Sequence, residues 1–138
     1  MKYILLCMCL LSLLGCGTDT KTQQDTKPTT TANEQAKTEQ DARVMAAKQA
    51  LSSGDYAKTI EEATASIKDN PNNADAYSIR GFATALNGDT TKGIADTKKA
   101  YDLDPNNVAN YYNMAMVYKL QGQLNESKQW FEKVLEKD

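Results

Sequence analysis

Histidine is absent from the 138-residue sequence, and its three cysteines, Cys7, Cys9 and Cys16, all stand near the N-terminus. Ser-His and Cys-His nucleophiles, and zinc sites with histidine ligands, therefore cannot be built in the rest of the chain. A glycine-rich phosphate-binding motif is lacking as well. We expect a protein that is not an enzyme, with no catalytic residue, no metal ligand and no cofactor.

Strong charge of one sign is also absent. The chain has 16 Lys and Arg residues against 18 Asp and Glu residues, which gives a formal net charge of −2. It has no basic cluster with interleaved aromatic residues, which is the usual signature of a nucleic-acid-binding surface. The sequence therefore predicts a partner other than nucleic acid.

The one long apolar run, residues 4–14, follows Lys2 and ends just before Gly15. It is shorter than a comfortable membrane span. A positive residue, a short apolar run and a small residue at its end are typical of a secretory signal peptide. We therefore predict that residues 1–15 are a signal peptide and that the following domain works outside the cytoplasm.

The end of this run, Leu13-Leu14-Gly15-Cys16, resembles the lipobox of bacterial lipoproteins. The resemblance implies cleavage after Gly15 and the attachment of acyl chains, such as palmitate, to Cys16. More than one chain anchors a protein stably, since each buried CH₂ contributes about 0.8 kcal/mol. Two alternatives stay open, namely a plain signal peptide followed by an incidental cysteine, and an uncleaved anchor.

Residues 16–39 are rich in Thr, Gln and Lys, and Val44 is the first large apolar residue after the signal. Such a composition cannot bury enough apolar surface to offset the entropy lost on ordering. It predicts a flexible linker that begins at the lipidated cysteine. Thr31 and Glu34 form a capping-box pattern, which predicts that the last part of the linker is helical.

Glycines recur at a fixed interval in the remaining sequence. Gly54, Gly88 and Gly122 are equally spaced (88 − 54 = 34 and 122 − 88 = 34), and the prolines of two Pro-Asn-Asn turns keep the same spacing (105 − 71 = 34). A period of this length is typical of stacked helical hairpins, with a break between two helices at each glycine. We predict an all-α domain over residues 40–138 that consists of the hairpins 40–73, 74–107 and 108–138.

The residue types within the hairpins resemble those of tetratricopeptide repeats. The signature positions are matched in the second and third hairpins by Tyr77, Gly81, Gly88, Ile94, Ala100, Pro105, Tyr111, Ala115, Tyr118, Gly122, Phe131 and Val134. The first hairpin matches less well, with Arg43 where an aromatic residue is usual. The resemblance implies three stacked hairpins in an α-solenoid that binds a protein or peptide partner.

Two departures from the family pattern lie in the second hairpin. Gly93 stands in the middle of a predicted helix, where glycine costs about 1 kcal/mol relative to alanine. The middle hairpin is thus expected to be the least stable, and Gly93→Ala is expected to raise the melting temperature. Arg80 stands where leucine is common, and the resemblance implies an ion pair with Asp96 that joins the two helices of the hairpin.

In proteins of this family the first helices of successive repeats line a concave groove. The candidate partner-binding residues at the corresponding positions are Val44, Lys48, Ser78, Phe82, Tyr112, Met116 and Lys119. Phe82, Tyr112 and Met116 form the apolar centre, which suits an amphipathic helix or an extended peptide. The alternative is that Phe82 and Met116 only pack between neighbouring hairpins.

Some members of the family clamp the C-terminal carboxylate of a chaperone with a set of Lys and Asn residues. Only Lys48 and Asn113 fall near such places in this sequence, whereas Val44, Ile79 and Ala109 do not fit. The sequence therefore argues against this class of ligand.

The last hairpin mixes polar and apolar residues where a further repeat would pack. Lys128 replaces the isoleucine of the first two hairpins, as expected of a terminal unit. Trp130, Val134 and Leu135 stay apolar, and we refer to them as the predicted edge. Three explanations stay open: the predicted edge self-associates, a partner supports it, or the repeat array continues after Asp138.

These features favour a lipid-anchored adaptor or assembly scaffold of the bacterial cell envelope, which docks an unidentified protein or peptide in its concave groove close to a membrane. The alternative is a structural module that forms a homodimer through the predicted edge.

Overall fold

A computed structural model describes residues 29–137 of the chain, and the predicted signal peptide, Cys16 and the first part of the linker lie outside them. Every regular element in this part of the chain is an α-helix. The helices are α1 (Thr29–Ser52), α2 (Tyr56–Asp69), α3 (Ala74–Leu86), α4 (Thr90–Leu103), α5 (Val108–Leu120) and α6 (Leu124–Lys137). None of them combines the length and the apolar composition that crossing a membrane requires.

The helices follow the interval that the glycines predict. The first helices of the second and third hairpins begin at Ala74 and Val108, which keep that interval (108 − 74 = 34). The second helices begin at Tyr56, Thr90 and Leu124, again with equal spacing. The predicted all-α stack of three hairpins, α1–α2, α3–α4 and α5–α6, is confirmed.

Helix α1 is longer than its counterparts. It begins at Thr29, eleven residues before the predicted first hairpin (40 − 29 = 11), so helix replaces the last part of the predicted linker. Residues 33–39 are exposed, and several of them are strong helix formers such as Ala, Gln, Lys and Glu. The expected helicity is confirmed, but Thr31 lies inside the helix and not at the capping position before it.

Each hairpin turn depends on a glycine with a left-handed backbone. The φ angle is +79° at Gly54, +106° at Gly88 and +84° at Gly122, a region that strains other residues. Just after the first two glycines, Asp55 and Asp89 cap the following helix, because each carboxylate accepts a hydrogen bond from a backbone N–H three residues later. The turn chemistry therefore decides where the chain reverses.

The first two hairpins share an aliphatic core. Val44 and Ala47 of α1 and Ala63 of α2 are buried against Ala76 and Ile79 of α3. Small side chains at these positions allow the helix axes to come close together. The first hairpin is therefore held against the second hairpin by its packing on α3.

Helices α3 and α4 approach each other closely at two glycines, and this finding overturns the expectation for Gly93. A Cβ atom added to Gly93 would lie 2.7 Å from the carbonyl oxygen of Gly81 and 2.7 Å from Cβ of Ala85. A Cβ atom added to Gly81 would lie 2.8 Å from the carbonyl oxygen of Gly93. Both glycines are therefore required by packing, so Gly93 does not mark a weak point in α4.

We expect Gly93→Ala to lower the melting temperature. Overpacking a core costs about 1–3 kcal/mol, which exceeds the gain of about 1 kcal/mol in helix propensity. Thermal unfolding followed by circular dichroism measures the effect, and 1 kcal/mol corresponds to about 4–8 °C in a domain of this size. Thr91→Ala at an exposed position of α4 is the matched control. A rise for Gly93→Ala as large as that for the control would contradict the close approach.

Candidate functional site: the concave surface

The concave surface is built by the first helix of each hairpin, since α3 contacts both α1 and α5. Val44, Ser78 and Tyr112 occupy equivalent positions on these helices (78 − 44 = 34 and 112 − 78 = 34). Val44 is 8% exposed and Ser78 3% exposed, whereas Tyr112 is 48% exposed. The following hairpin covers the first two positions. Val44 and Ser78 therefore belong to the packing between hairpins, and their assignment as partner contacts does not agree with the structure.

Polar contacts join the first helices to one another. The side chain of Asn113 donates a hydrogen bond of 2.8 Å to Oγ of Ser78. The ammonium group of Lys48 lies 3.0 Å from the carboxylate of Asp75, which also accepts a hydrogen bond of 3.1 Å from Asn107. The two residues that fall near the carboxylate-clamp places, Lys48 and Asn113, are thus engaged within the chain. Lys48 keeps about half of its side chain exposed, so it stays at the rim.

The predicted apolar centre is partly accessible. Phe82 of α3 and Met116 of α5 occupy equivalent positions and are both half-buried. Tyr112 lies one turn before Met116, and its ring packs edge-on against Phe131 with a centroid distance of 5.8 Å. Lys119 is exposed one turn after Met116. We call Phe82, Tyr112 and Met116 the concave patch. Because its side chains are only partly covered, the patch combines packing with an accessible apolar surface.

A shallow cavity of about 300 Å³ lies between α1 and the start of α3. Asp41, Lys48 and Asp75 give it a polar lining, and Met45 contributes an exposed apolar side chain. The sequence analysis did not single out Met45, although its equivalents Ile79 and Asn113 both pack against a preceding hairpin. The concave surface is therefore polar near α1 and apolar near α5.

The predicted ion pair of the second hairpin is confirmed. Nε and Nη2 of Arg80 donate hydrogen bonds of 2.7 and 2.8 Å to the two carboxylate oxygens of Asp96. The guanidinium also lies over the ring of Tyr77, 5.4 Å from its centroid. Hydrogen bonding to Asp96 raises the pKa of Arg80, and burial opposes this effect. Arg80 stays charged at physiological pH, as arginine does in general, and its two hydrogen bonds to Asp96 are charge-assisted.

The predicted edge is divided by the structure. Trp130 packs against Tyr101 and Tyr111, with ring centroids 5.2 and 5.9 Å apart, and the ammonium of Lys133 lies 3.8 Å from its ring centroid. Trp130 thus belongs to the contact between the second and third hairpins and is not part of an open edge. Val134 is half-buried.

Leu135 is 76% exposed, in contrast to Trp130. Phe131, which the sequence analysis treated only as a family match, lies beside Tyr112 on the side of the third hairpin where a following hairpin would pack. We call Tyr112, Phe131 and Leu135 the terminal face. No group of three or more potential metal ligands comes together among the residues that the structure describes.

Comparison with known proteins places this architecture among helical-repeat proteins. A family model described as tetratricopeptide repeat matches residues 97–129, from the middle of α4 into α6. The fold is that of a tetratricopeptide-repeat solenoid, and solved structures of such domains superpose on it.

Two of these structures are complexes. The second tetratricopeptide-repeat domain of Spaghetti (RPAP3) bound to the HSP90 peptide SRMEEVD has a TM-score of 0.65 and 26% identity, over 78% of this chain and 90% of that one. The TPR2B-domain:pHsp70 complex of yeast Sti1 has a TM-score of 0.67 and 25% identity, over 73% of this chain and 81% of that one.

An O-GlcNAc transferase mutant of Thermobaculum terrenum has a TM-score of 0.69 at 22% identity over 73% of this chain. The chain spans only 19% of the length of that transferase. This likeness therefore concerns the fold alone.

We expect Ser78→Ala to lower the stability of the domain by about 1 kcal/mol, because the amide of Asn113 loses its partner in a partly buried place. Chemical unfolding followed by circular dichroism measures the loss. Ser52→Ala, at an exposed position of α1, is the control. An unchanged stability for Ser78→Ala would contradict a stabilising role for its hydrogen bond with Asn113.

Proposed function

We propose that this chain is a membrane-tethered adaptor of the bacterial cell envelope, which docks a protein or peptide partner on the concave patch. The accessible apolar surface of Phe82, Tyr112 and Met116 is the observation that carries the proposal. Aromatic side chains together with an adaptable methionine are frequent anchors of binding surfaces. The peptide-bound structures that superpose on the chain support a role in protein–protein interaction.

The partner proposed for the patch is an amphipathic helix or an extended apolar peptide. A C-terminal carboxylate fits less well, because Lys48 is paired with Asp75 and Asn113 is bonded to Ser78. Opening the contact of Asn113 with Ser78 would leave a partly buried polar group without its partner, at a cost of about 1–3 kcal/mol, whereas the exposed pair of Lys48 with Asp75 contributes only about 0–1 kcal/mol. Lys119 at the rim gives the apolar site a positive border.

Tethering through Cys16 would keep the adaptor close to membrane proteins. Twelve residues, 17–28, separate Cys16 from the start of α1 (28 − 16 = 12). Residues 29–39 of α1 extend about 16 Å further at 1.5 Å per residue. A short tether of this kind raises the effective concentration of a neighbouring partner to roughly the millimolar range.

Phe82→Ala/Met116→Ala is expected to release the partner. Loss of central apolar anchors costs about 2 kcal/mol or more, which is about 30-fold in affinity. The measurement is crosslinking in cells with the full chain, followed by recovery and mass spectrometry of the bound proteins. Leu124→Ala, which removes an exposed apolar side chain away from the patch, is the control.

Circular dichroism must show that the double variant stays helical, and Phe82→Leu serves as a milder variant if it does not. A partner recovered with the control but not with the double variant supports the concave patch. Equal recovery of the same proteins with all variants would refute docking there.

Cys16→Ser is expected to abolish the incorporation of labelled palmitate into the full chain. The reason is that Cys16 is the one cysteine left after the predicted cleavage. Cys9→Ser, within the predicted signal peptide, is expected to leave labelling unchanged. Labelled Cys16→Ser protein would show that the acyl chains are attached elsewhere.

Self-association is the second candidate function, and the exposure of the terminal face favours it. Among the residues that the structure describes, two of the five exposed large apolar side chains, Tyr112 and Leu135, belong to the terminal face. Leu135 is the most exposed of them. A concentration of exposed apolar side chains on one side of a domain is typical of an interaction surface.

A further inference from the structure

The terminal face repeats positions that are covered elsewhere in the same chain. Leu135 is equivalent to Tyr101 (135 − 101 = 34) and to Ile67 (101 − 67 = 34). Ile67 packs against the core shared with the second hairpin, and Tyr101 packs edge-on against Tyr111 of the third hairpin, with centroids 5.4 Å apart. At these positions the preceding hairpins are therefore covered by the hairpin that follows them.

The same relation holds for the other two residues of the terminal face. Phe131 is equivalent to Ala63 and Tyr112 to Val44, and both of these are buried with Ile79 of the following hairpin. Ile79 thus packs in the same buried cluster as both positions. In the third hairpin no element among the described residues covers the equivalent side chains, and Tyr112 stays half-exposed.

A side chain equivalent to Ile79 is exposed at the other end of the domain. Met45 of α1 is equivalent to Ile79 (79 − 45 = 34) and is 72% exposed. Met45 has the length and apolar character to pack over the contact between Tyr112 and Phe131. The chain therefore presents both halves of its own hairpin-to-hairpin interface in an uncovered form.

We infer that the terminal face of one copy binds the α1 side of a second copy, so that the second copy continues the repeat stack head to tail. This inference rests on self-association, the second candidate function, and does not involve docking of another protein on the concave patch. A contact between two different faces leaves each copy with one free face. Further copies can therefore add, and the assembly becomes a filament unless it closes into a ring.

Charge at the proposed contact is complementary. Lys128 is equivalent to Ile60, which lines one cavity of about 460 Å³ together with Asp96 of the next hairpin. The first-hairpin equivalent of Asp96 is Glu62 (96 − 62 = 34). Continuing the stack into a second copy places Lys128 and that copy's Glu62 along the lining of one equivalent cavity. Lys128, whose ammonium lies 3.9 Å from the carboxylate of Glu132 in its own helix, thereby gains a second opposite charge nearby.

The test uses two copies of the full chain that carry different affinity tags, are expressed together, and are extracted in a mild detergent. Leu135→Lys disables the terminal face and Met45→Lys disables the α1 side. Both side chains are exposed, so neither change disturbs the core. A lysine ammonium placed in an apolar contact is expected to lower co-purification about tenfold or more.

Wild-type copies are expected to co-purify, whereas two Leu135→Lys copies or two Met45→Lys copies are not. A Leu135→Lys copy expressed with a Met45→Lys copy is expected to co-purify, because one intact face of each kind remains. This recovery by mixing is specific to a contact between two different faces.

Charge reversal gives a second readout. Lys128→Glu alone and Glu62→Lys alone are each expected to weaken co-purification, and both changes in one chain are expected to restore it. Circular dichroism of each variant confirms that the helices are retained.

Three outcomes would overturn the inference. Undiminished co-purification of two Met45→Lys copies would assign the contact to the terminal face alone. Equal recovery of every pair would show that neither face is involved, and the absence of recovery for wild-type copies would exclude self-association. Tyr112 belongs to both surfaces, but none of the variants in either test changes it, so co-purification of two copies and capture of a partner by the concave patch are scored separately.

Discussion

The stack depends on one requirement, that the open side of each hairpin be buried by the next one. A single hairpin has too little interior to bury its apolar side chains alone, so neighbours complete it. Val44 and Ala63 illustrate the point, since both become interior only because α3 lies across them. The close contact of α3 with α4 at Gly81 and Gly93 holds the middle hairpin in the shape that both neighbours need.

Much of the fold follows from spacing along the chain. Glycines with left-handed backbones recur at one constant interval, so the hairpins could be placed without knowledge of their contacts. Gly93 was misjudged because helix propensity describes an isolated helix, whereas the space at Gly93 is limited by the neighbouring helix α3. Trp130 was misjudged for a related reason. Trp130 and Phe131 are both apolar and adjacent, but their side chains point about 100° apart around α6. Apolar character alone does not show that Trp130 faces the preceding hairpin and Phe131 does not.

The candidate site could be predicted only in part. The periodicity correctly put Phe82, Tyr112 and Met116 on the first helices. The exposure of each position, however, depends on whether another hairpin follows, and so equivalent residues differ: Ser78 is buried while Tyr112 is accessible. Hydrogen bonds such as that between Asn113 and Ser78 also escape prediction, because two polar residues 35 positions apart give no local signal. The resulting surface changes from polar to apolar along the stack.

The two internal interfaces are made of different chemistry. The buried core of the first is aliphatic, whereas in the second the side-chain amide of Asn110 donates to the carbonyl of Ala100 at 3.2 Å and to that of Asp104 at 3.0 Å. Aliphatic contacts tolerate exchange of similar volume, but hydrogen-bonded groups require partners at fixed positions. The second interface therefore restricts which hairpin can pack against it more strictly than the first does. A foreign repeat grafted in place of the first hairpin meets a permissive surface, while one grafted in place of the third must supply an amide where Asn110 stands.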